Sequence, residues 1–258
     1  MHAPQTLYPL SSVQREIWFD QSLTPEAPIY NIGGYHRIEG DFDPETFRRA
    51  IRQLVQETDI LRLRLCPQED LPLQSFPPLP EVEVGFCDCR QAKDPMATAH
   101  AAIQADIERP FQLFEAPLFR HTLYQLAEKT FLWSHVHHHL LIDGWGVSLI
   151  MQRVAALYHA LRNDQPIPPA PGVSYAEFVA DDNAYFESAH CERHRQYWRQ
   201  QFTTLPEPLF PKRYLYLSHQ GFVAGPSFTT FLDRARYTRL EALATAHSAT
   251  VFHALISL

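Results

Sequence analysis

The sequence predicts a mixed α+β fold, and two kinds of pattern indicate it. Several segments begin with a helix-capping residue, as at Asp43-Pro44 and Asp94-Pro95, and continue with apolar residues at helical spacing. Between them lie alternating or continuous apolar runs bounded by polar turns, which are typical of strands. The 258 residues, 45% hydrophobic and 20% charged, suffice for one large globular domain or two lobes.

The predicted elements follow one another along the chain. A helix begins after Ser11, because Ser11 and Gln14 have the spacing of a capping box. Gly144 and Gly146 are expected to break the chain before a later helix. The remaining predictions are strands over 32–39, 60–65, 119–126, 130–138 and near 228–232, and helices from 43, from 94 to before 110, over 147–161 and over 175–202.

Composition excludes several classes of protein. The net charge of -7 argues against a nucleic-acid binder with a basic surface. No apolar run approaches the roughly 20 residues of a membrane span, and the N-terminus lacks a signal-peptide core, so the cytoplasm is the expected location. Cys87 and Cys89 form a C-x-C pair without a matching second pair, which favours free thiols over zinc.

The segment from Trp133 to Trp145 is the strongest functional signal, because it packs four histidines into five positions. Strand alternation places His135, His137 and His139 on one face and His138 on the other. His139 ends the strand and is expected to project into a cleft, where an imidazole can accept and return a proton near neutral pH. A zinc site on this face would need a fourth ligand that the spacing does not offer.

Two residues just beyond the histidines have expected supporting roles. Asp143 follows three apolar residues, and its carboxylate would fix the turn by holding a cation or a backbone amide. Gly144 would serve where the backbone passes close to a ligand.

This segment resembles a known family. His138-His139-Leu140-Leu141-Ile142-Asp143-Gly144 matches the HHxxxDG signature of condensation domains from non-ribosomal peptide synthetases. Four other stretches resemble motifs of that family in the same order, from about residue 8 to the end of the chain. They are 10–18, 59–62, 175–178 and 197–198.

The resemblance implies a two-lobed, chloramphenicol acetyltransferase-like fold with a tunnel between the lobes. Residues 1–175 would form the N-terminal lobe, and 176–258 a bridging helix and the beginning of an incomplete C-terminal lobe. It implies His139 as the catalytic residue, acting either as a base or as a group that positions the amine. His138, Asp143 and Gly144 would support the motif, with Asp143 paired to Arg62.

The implied reaction joins a carrier-bound acyl thioester to the amine of a carrier-bound aminoacyl group, giving an amide. No resident cofactor or metal is implied, since phosphopantetheine arms arrive with donor and acceptor carrier proteins. The missing C-terminal lobe and a downstream adenylation domain are the other expected partners. Nucleic acid and membrane are not expected to bind.

Length and subtype leave alternatives open. Only the first lobe and the opening of the second are expected, so the chain by itself should be inactive. Met1 stands just before the first motif, which favours an initiating domain that takes an acyl group from a carrier or from coenzyme A. Gln56-Glu57 and Gly146 depart from the usual pattern and leave the subtype open. The alternatives are a non-catalytic carrier-docking fragment and a coenzyme A-dependent acyltransferase of the same superfamily.

Overall fold

The computed structural model describes residues 6–79, 81–170, 172–204, 206–207 and 230–257. Two compact units divide the chain, 1–209 and 210–258. The strands are β1 (Asn31–Glu39), β2 (Arg64–Cys66), β3 (Leu73–Ser75), β4 (Gly85–Asp88), β5 (Phe119–Ala127) and β6 (Thr130–His138). The helices are α1 (Ser12–Leu23), α2 (Pro44–Glu57), α3 (Pro95–Glu108), α4 (Gly144–Arg162), α5 (Tyr175–Glu187), α6 (Ala189–Gln201), α7 (Arg234–Ala246) and α8 (Val251–Ile256), with a 3-10 turn at Asp59–Arg62.

A four-stranded mixed sheet lies at the centre of the first unit, in the order β1-β6-β5-β4. β6 pairs antiparallel with both β1 and β5, whereas β4 runs parallel to β5. β2 and β3 form a small antiparallel pair, and Tyr8 bridges to Gln74 beside it. β6 is therefore a central strand, and the histidine segment lies toward its C-terminal end. This architecture confirms the predicted α+β class.

Helices cover both faces of the sheet. On one face Phe47 of α2 packs edge-on against Trp133 of β6, with ring centroids 5.1 Å apart. On the other face Ala99 and Ile103 of α3 form a smaller apolar cluster with Leu132. α3 also lies so close to β1 that a Cβ on Gly33 would come within 2.4 Å of the Ile107 side chain. A glycine is needed at that position because any side chain would collide with the helix.

Several predicted helix starts are confirmed at the level of single hydrogen bonds. Ser11 Oγ accepts from the Gln14 amide, and Gln14 Oε1 accepts from the Ser11 amide, which completes the capping box. Asp43 caps α2 and Asp94 caps α3, each followed by proline in the first turn. These caps fix where the chain turns into each helix, because they satisfy amides that no helical carbonyl can reach.

Three predicted elements are wrong in type or extent. The expected strand 60–65 begins as the 3-10 turn, at 60–62, and only Arg64 and Leu65 lie in a strand, β2, although its leucines are buried as the alternation required. Gly144 and Gly146 do not break the chain, because Asp143 caps a helix that already contains both. The long helix 175–202 is two helices, since the side chain of Ser188 caps a new helix at Ala189.

The second half of the chain is described in part. The hydroxyl and amide of Ser12 in α1 donate to Asp182 of α5, so α5 is joined to the first helix within the first unit. The second unit contains α7 and α8 among its described residues. Of the strand predicted near 228–232, residues 228 and 229 lie outside the described residues, and 230–232 have no regular structure. The division into lobes at residue 175 stays a prediction.

Within the described residues, no helix is both long and apolar enough to cross a membrane.

Candidate active site

His139 is the first residue after β6 and lies on the wall of a cavity of about 690 Å³. Its amide donates to the carbonyl oxygen of Tyr30 over 2.9 Å, and its ring meets the Tyr30 ring edge-on at 6.0 Å. The side chain is half-buried, so one part of it is held by protein while another faces the cavity. This is the cleft position that the sequence predicted for it.

Electrostatics keep His139 neutral at physiological pH. Partial burial lowers the pKa of the imidazole, because desolvation penalises the charged form. The carboxylate of Asp143 and the carbonyl of Ile142 act in the opposite direction but do not outweigh burial. A neutral imidazole has a lone pair free, so His139 can accept a proton or a hydrogen bond from an amine in the cavity.

The cavity beside His139 is mostly apolar. Its wall carries one ion pair, in which Nε and Nη2 of the Arg153 guanidinium contact the carboxylate of Glu57. Arg153 also donates to the carbonyls of Pro168 and Pro169, so the charges are satisfied within the protein. The apolar lining residues are Val13, Ile17, Leu54, Ile60, Leu61, Leu140, Leu141, Ile142, Trp145, Leu149, Ile150, Val173 and Phe178.

Asp143 lies on the wall of this cavity, and Gly144 follows it as the first residue of α4. Asp143 Oδ1 accepts from the amide of Gly146 over 2.7 Å, so the carboxylate holds a backbone amide, one of the two roles expected from the sequence. A Cβ on Gly144 would meet no protein atom within 4 Å. The role of Gly144 beside a ligand stays a prediction.

Arg62 does not pair with Asp143, and that expectation is wrong. Arg62 Nη1 donates to the carbonyls of Val55 and Gln56, over 2.9 Å and 2.6 Å. Its guanidinium thus satisfies the last carbonyls of α2, where a cation is favoured by the helix dipole. The charge of Arg62 is used at the end of one helix, whereas that of Asp143 is used at the beginning of another.

His138 is buried, and the structural role expected for it stays a prediction. Its Nδ1 accepts from the amide of Leu140 over 3.2 Å, and its Nε2 lies 3.4 Å from Gln21 Oε1. Burial and the neighbouring His139 lower its pKa to about 4. His138 therefore stays neutral and ties α1 to the turn that follows β6.

Four more histidines form an imidazole cluster on the face of the sheet opposite His138: His36, His121, His135 and His137. His36 Nε2 and His135 Nε2 are 3.2 Å apart, and neither ring nitrogen of His137 has a hydrogen-bond partner. Burial lowers the pKa of His121 to about 3 and that of His135 to about 4, so this cluster is uncharged. Among the described residues no group of His, Cys, Asp or Glu is arranged to hold a metal ion.

Sequence reasoning missed the amides that support the turn at His139. Gln14 Nε2 donates to the carbonyl of Leu140 over 3.0 Å, and Gln21 contacts His138. Both glutamines are buried, with only 2% and 4% of their surface exposed. Their seven-residue spacing around Ile17 was the available signal, because it puts two amides on the buried face of α1.

Fold and site together define a class of protein, an α+β acyltransferase-like lobe with a histidine directly after the end of its central strand. The family model described as "Condensation domain" matches residues 4–258, and the chain belongs to that family. A dimodular nonribosomal peptide synthase of Bacillus subtilis (strain 168) is 36% identical over 200 residues, which is 78% of this chain and 8% of the relative. An isonitrile lipopeptide synthase of Streptomyces coeruleorubidus is 33% identical over 79% of this chain and 14% of the relative.

Solved structures give the same result. The starter condensation domain of rhizomide synthetase, as a mutant in complex with C8-CoA, superposes with a TM-score of 0.75 and 35% identity. The match covers 79% of this chain and 47% of that one. The first condensation domain of the CDA synthetase matches with a TM-score of 0.71 and 31% identity, over 80% and 52% of the two chains. The chain thus spans about half of these solved domains and a small part of the curated relatives.

Proposed function

We propose that this chain supplies the histidine-bearing half of a condensation domain that forms an amide bond in non-ribosomal peptide synthesis. The observation that carries the proposal is His139, a neutral imidazole on the wall of an apolar cavity, with Asp143 close enough to affect its pKa. Donor and acceptor would reach the cavity as thioesters on the phosphopantetheine arms of two carrier proteins. An adenylation domain and the second half of the condensation domain are the other proposed partners.

The proposed step needs an amine, a thioester and a group that manages one proton. The amine nitrogen attacks the thioester carbonyl, the C–N bond forms, and the C–S bond breaks. The proton lost by the amine leaves with the thiol of the donor arm. His139 either carries that proton or holds the amine in line with the carbonyl, and the lowered pKa suits both roles because the ring is unprotonated at pH 7.

We further propose that the donor is an apolar acyl group and that the domain initiates a peptide. Apolar side chains dominate the cavity wall, and the two charges of its ion pair, Arg153 and Glu57, neutralise each other. A similar solved domain is a starter condensation domain in complex with C8-CoA, which supports this donor class. Four free cysteines fit a reducing compartment, so the cytoplasm is the proposed location.

A transfer assay read by mass spectrometry tests the proposal. The chain alone and a version continued through the second half of a condensation domain would be mixed with aminoacyl-loaded carrier and either octanoyl-loaded carrier or octanoyl-coenzyme A. We expect amide product from the continued version only, and a loss of about 10²–10⁴-fold with His139→Ala. The matched control is His190→Ala, which removes an exposed histidine of α6 and should leave the rate unchanged.

Other outcomes of the assay have definite meanings. Product from octanoyl-coenzyme A without any carrier would favour a coenzyme A-dependent acyltransferase. No product from the continued version with any donor, although carriers still bind, would favour a docking fragment. Full activity of His139→Ala would remove the catalytic assignment.

A further inference from the structure

We infer that Gln21 is a positioning residue for His139 and acts by selecting one tautomer of His138. The inference rests on the proposed function, since it gives His139 the catalytic role. Gln21 lies in the last turn of α1, 117 residues from His138 along the chain, and is almost completely buried. A buried amide in that place must have both its donors and its acceptor matched.

The orientation of the Gln21 amide is determined by two carbonyls. Its Nε2 donates to the carbonyl oxygens of Thr24 and Ala27, over 2.8 Å and 2.9 Å. Both amide hydrogens are used there, so the group that faces His138 Nε2 at 3.4 Å is the oxygen Oε1. An amide oxygen can only accept, and therefore His138 must carry its proton on Nε2.

The second ring nitrogen of His138 gives the same answer independently. Nδ1 lies 3.2 Å from the amide nitrogen of Leu140, which can only donate. Nδ1 must then be unprotonated, as it is in the Nε2–H tautomer. Burial and His139 lower the pKa of His138, so the doubly protonated ring does not compete at neutral pH. One neutral tautomer satisfies Gln21 and Leu140 at once, and the other leaves two donors facing each other.

This tautomer matters because Leu140 directly follows His139. The amide of His139 donates to Tyr30, the amide of Leu140 donates to His138, and the carbonyl of Leu140 accepts from Gln14. The backbone on both sides of the catalytic ring is thus held by three hydrogen bonds. Gln21 controls one of the three without touching His139 or the cavity.

A purely structural role for Gln21 predicts something different. In that case its only task would be to close the loop after α1 through Thr24 and Ala27, and any variant would lower stability without changing the turnover of the folded enzyme. Two variants separate the roles. Gln21→Met removes the acceptor and both donors, whereas Gln21→Glu removes the donors but keeps an acceptor for His138 Nε2.

The experiment compares turnover and tautomer in the version continued through the second half. Gln21→Met should lower kcat on the order of tenfold to a hundredfold, with KM for both carriers changed less than about twofold. Gln21→Glu should recover most of kcat at pH 8 although its stability is reduced. Its rate should fall at higher pH than that of the wild type during acidification, because a carboxylate raises the pKa of His138.

Long-range 1H–15N spectra of the histidines provide the spectroscopic readout. The wild type and Gln21→Glu should show His138 as the Nε2–H tautomer at pH 8, and Gln21→Met should show a mixture. The control is Tyr158→Phe, which removes the hydrogen bond between Tyr158 and the Asp43 amide and should lower stability without changing kcat or the spectra.

Three results would overturn the inference. They are an Nδ1–H tautomer of His138 in the wild type, an unchanged kcat in Gln21→Met, and equal losses of kcat in Gln21→Met and Gln21→Glu. His139→Ala measured beside them separates this inference from the proposed function. If His139→Ala is inactive and Gln21→Met is not impaired, only the positioning role fails, whereas an active His139→Ala removes the basis of both.

Discussion

Acidification from pH 8 to pH 5 should destabilise this protein strongly, because its buried histidines cannot take up protons in the folded state. Burial is the largest cause of every lowered pKa among His121, His135, His137 and His138. For each of the four, the charge of a neighbouring imidazole adds to the effect of burial. Protonating any one of them would place an unpaired cation in the interior.

The sign and size of the effect follow from the difference between folded and unfolded pKa values. An unfolded histidine titrates near 6.5, whereas His135 and His138 titrate at about 4 in the folded protein. Between these values the unfolded chain binds more protons, so the free energy of unfolding falls as the pH drops through 6.5 toward 4. At pH 5 each such histidine lowers it by about 2 kcal/mol relative to pH 8. His121, with a pKa of about 3 in the folded protein, lowers it by a similar amount. His121, His135 and His138 together would therefore remove about 6 kcal/mol, which is much of the typical stability of a domain.

Urea unfolding at pH 8, 7, 6 and 5, followed by circular dichroism and tryptophan fluorescence, measures this loss. His137→Leu should reduce the loss between pH 8 and pH 5, because burial holds the pKa of His137 well below its usual value. It removes no hydrogen bond, because both ring nitrogens of His137 lack a partner. His100→Leu, at an exposed position of α3, is the matched control and should keep the wild-type slope. A free energy of unfolding that is equal at pH 8 and pH 5, or an identical slope in all three proteins, would refute the reasoning.

The remaining predictions concern two glycines, Gly33 and Gly144, and one pair of residues, Arg62 and Asp143. Gly33→Ala should destabilise the protein by about 1–3 kcal/mol in urea unfolding because its Cβ would collide with Ile107, whereas Gly144→Ala should change stability by less than about 0.5 kcal/mol. If Gly144→Ala nevertheless lowers transfer activity, a ligand passes close to that backbone; unchanged activity would contradict the role expected for this glycine. A double-mutant cycle of Arg62→Leu and Asp143→Asn should give a coupling energy near zero, within about 0.5 kcal/mol, and a larger value would restore the rejected ion pair.

Local signals in the sequence were sufficient for much of the fold. The capping residues Ser11, Asp43 and Asp94 located three helix starts, and alternating apolar residues located the β5–β6 hairpin. The 3-10 turn at 59–62 was mistaken for a strand because burying every second leucine does not require an extended backbone. The break before Ala189 was missed, because a serine inside a helical pattern looks tolerable until its side chain caps the next helix.

Partners that are distant in sequence were the harder part of the site. The position of His139 followed from its place at the end of a strand, and the cavity confirms that geometry. The Arg62–Asp143 pairing was wrong, because each group has a backbone partner within its own segment of the chain. Gln21 could not be assigned, since its role depends on a contact across 117 positions of the chain.

The support of the His139 turn by Gln14 and Gln21 has a consequence for recombination between related synthetases. A crossover placed anywhere between α1 and β6 would combine the helix of one parent with the histidine turn of the other. Such a chimera keeps every residue of the HHxxxDG signature. Its side chains at positions 14 and 21, however, come from one parent and the turn that they support comes from the other. We expect viable exchanges to transfer residues 11–144 as one block, or to match both glutamines in the two parents.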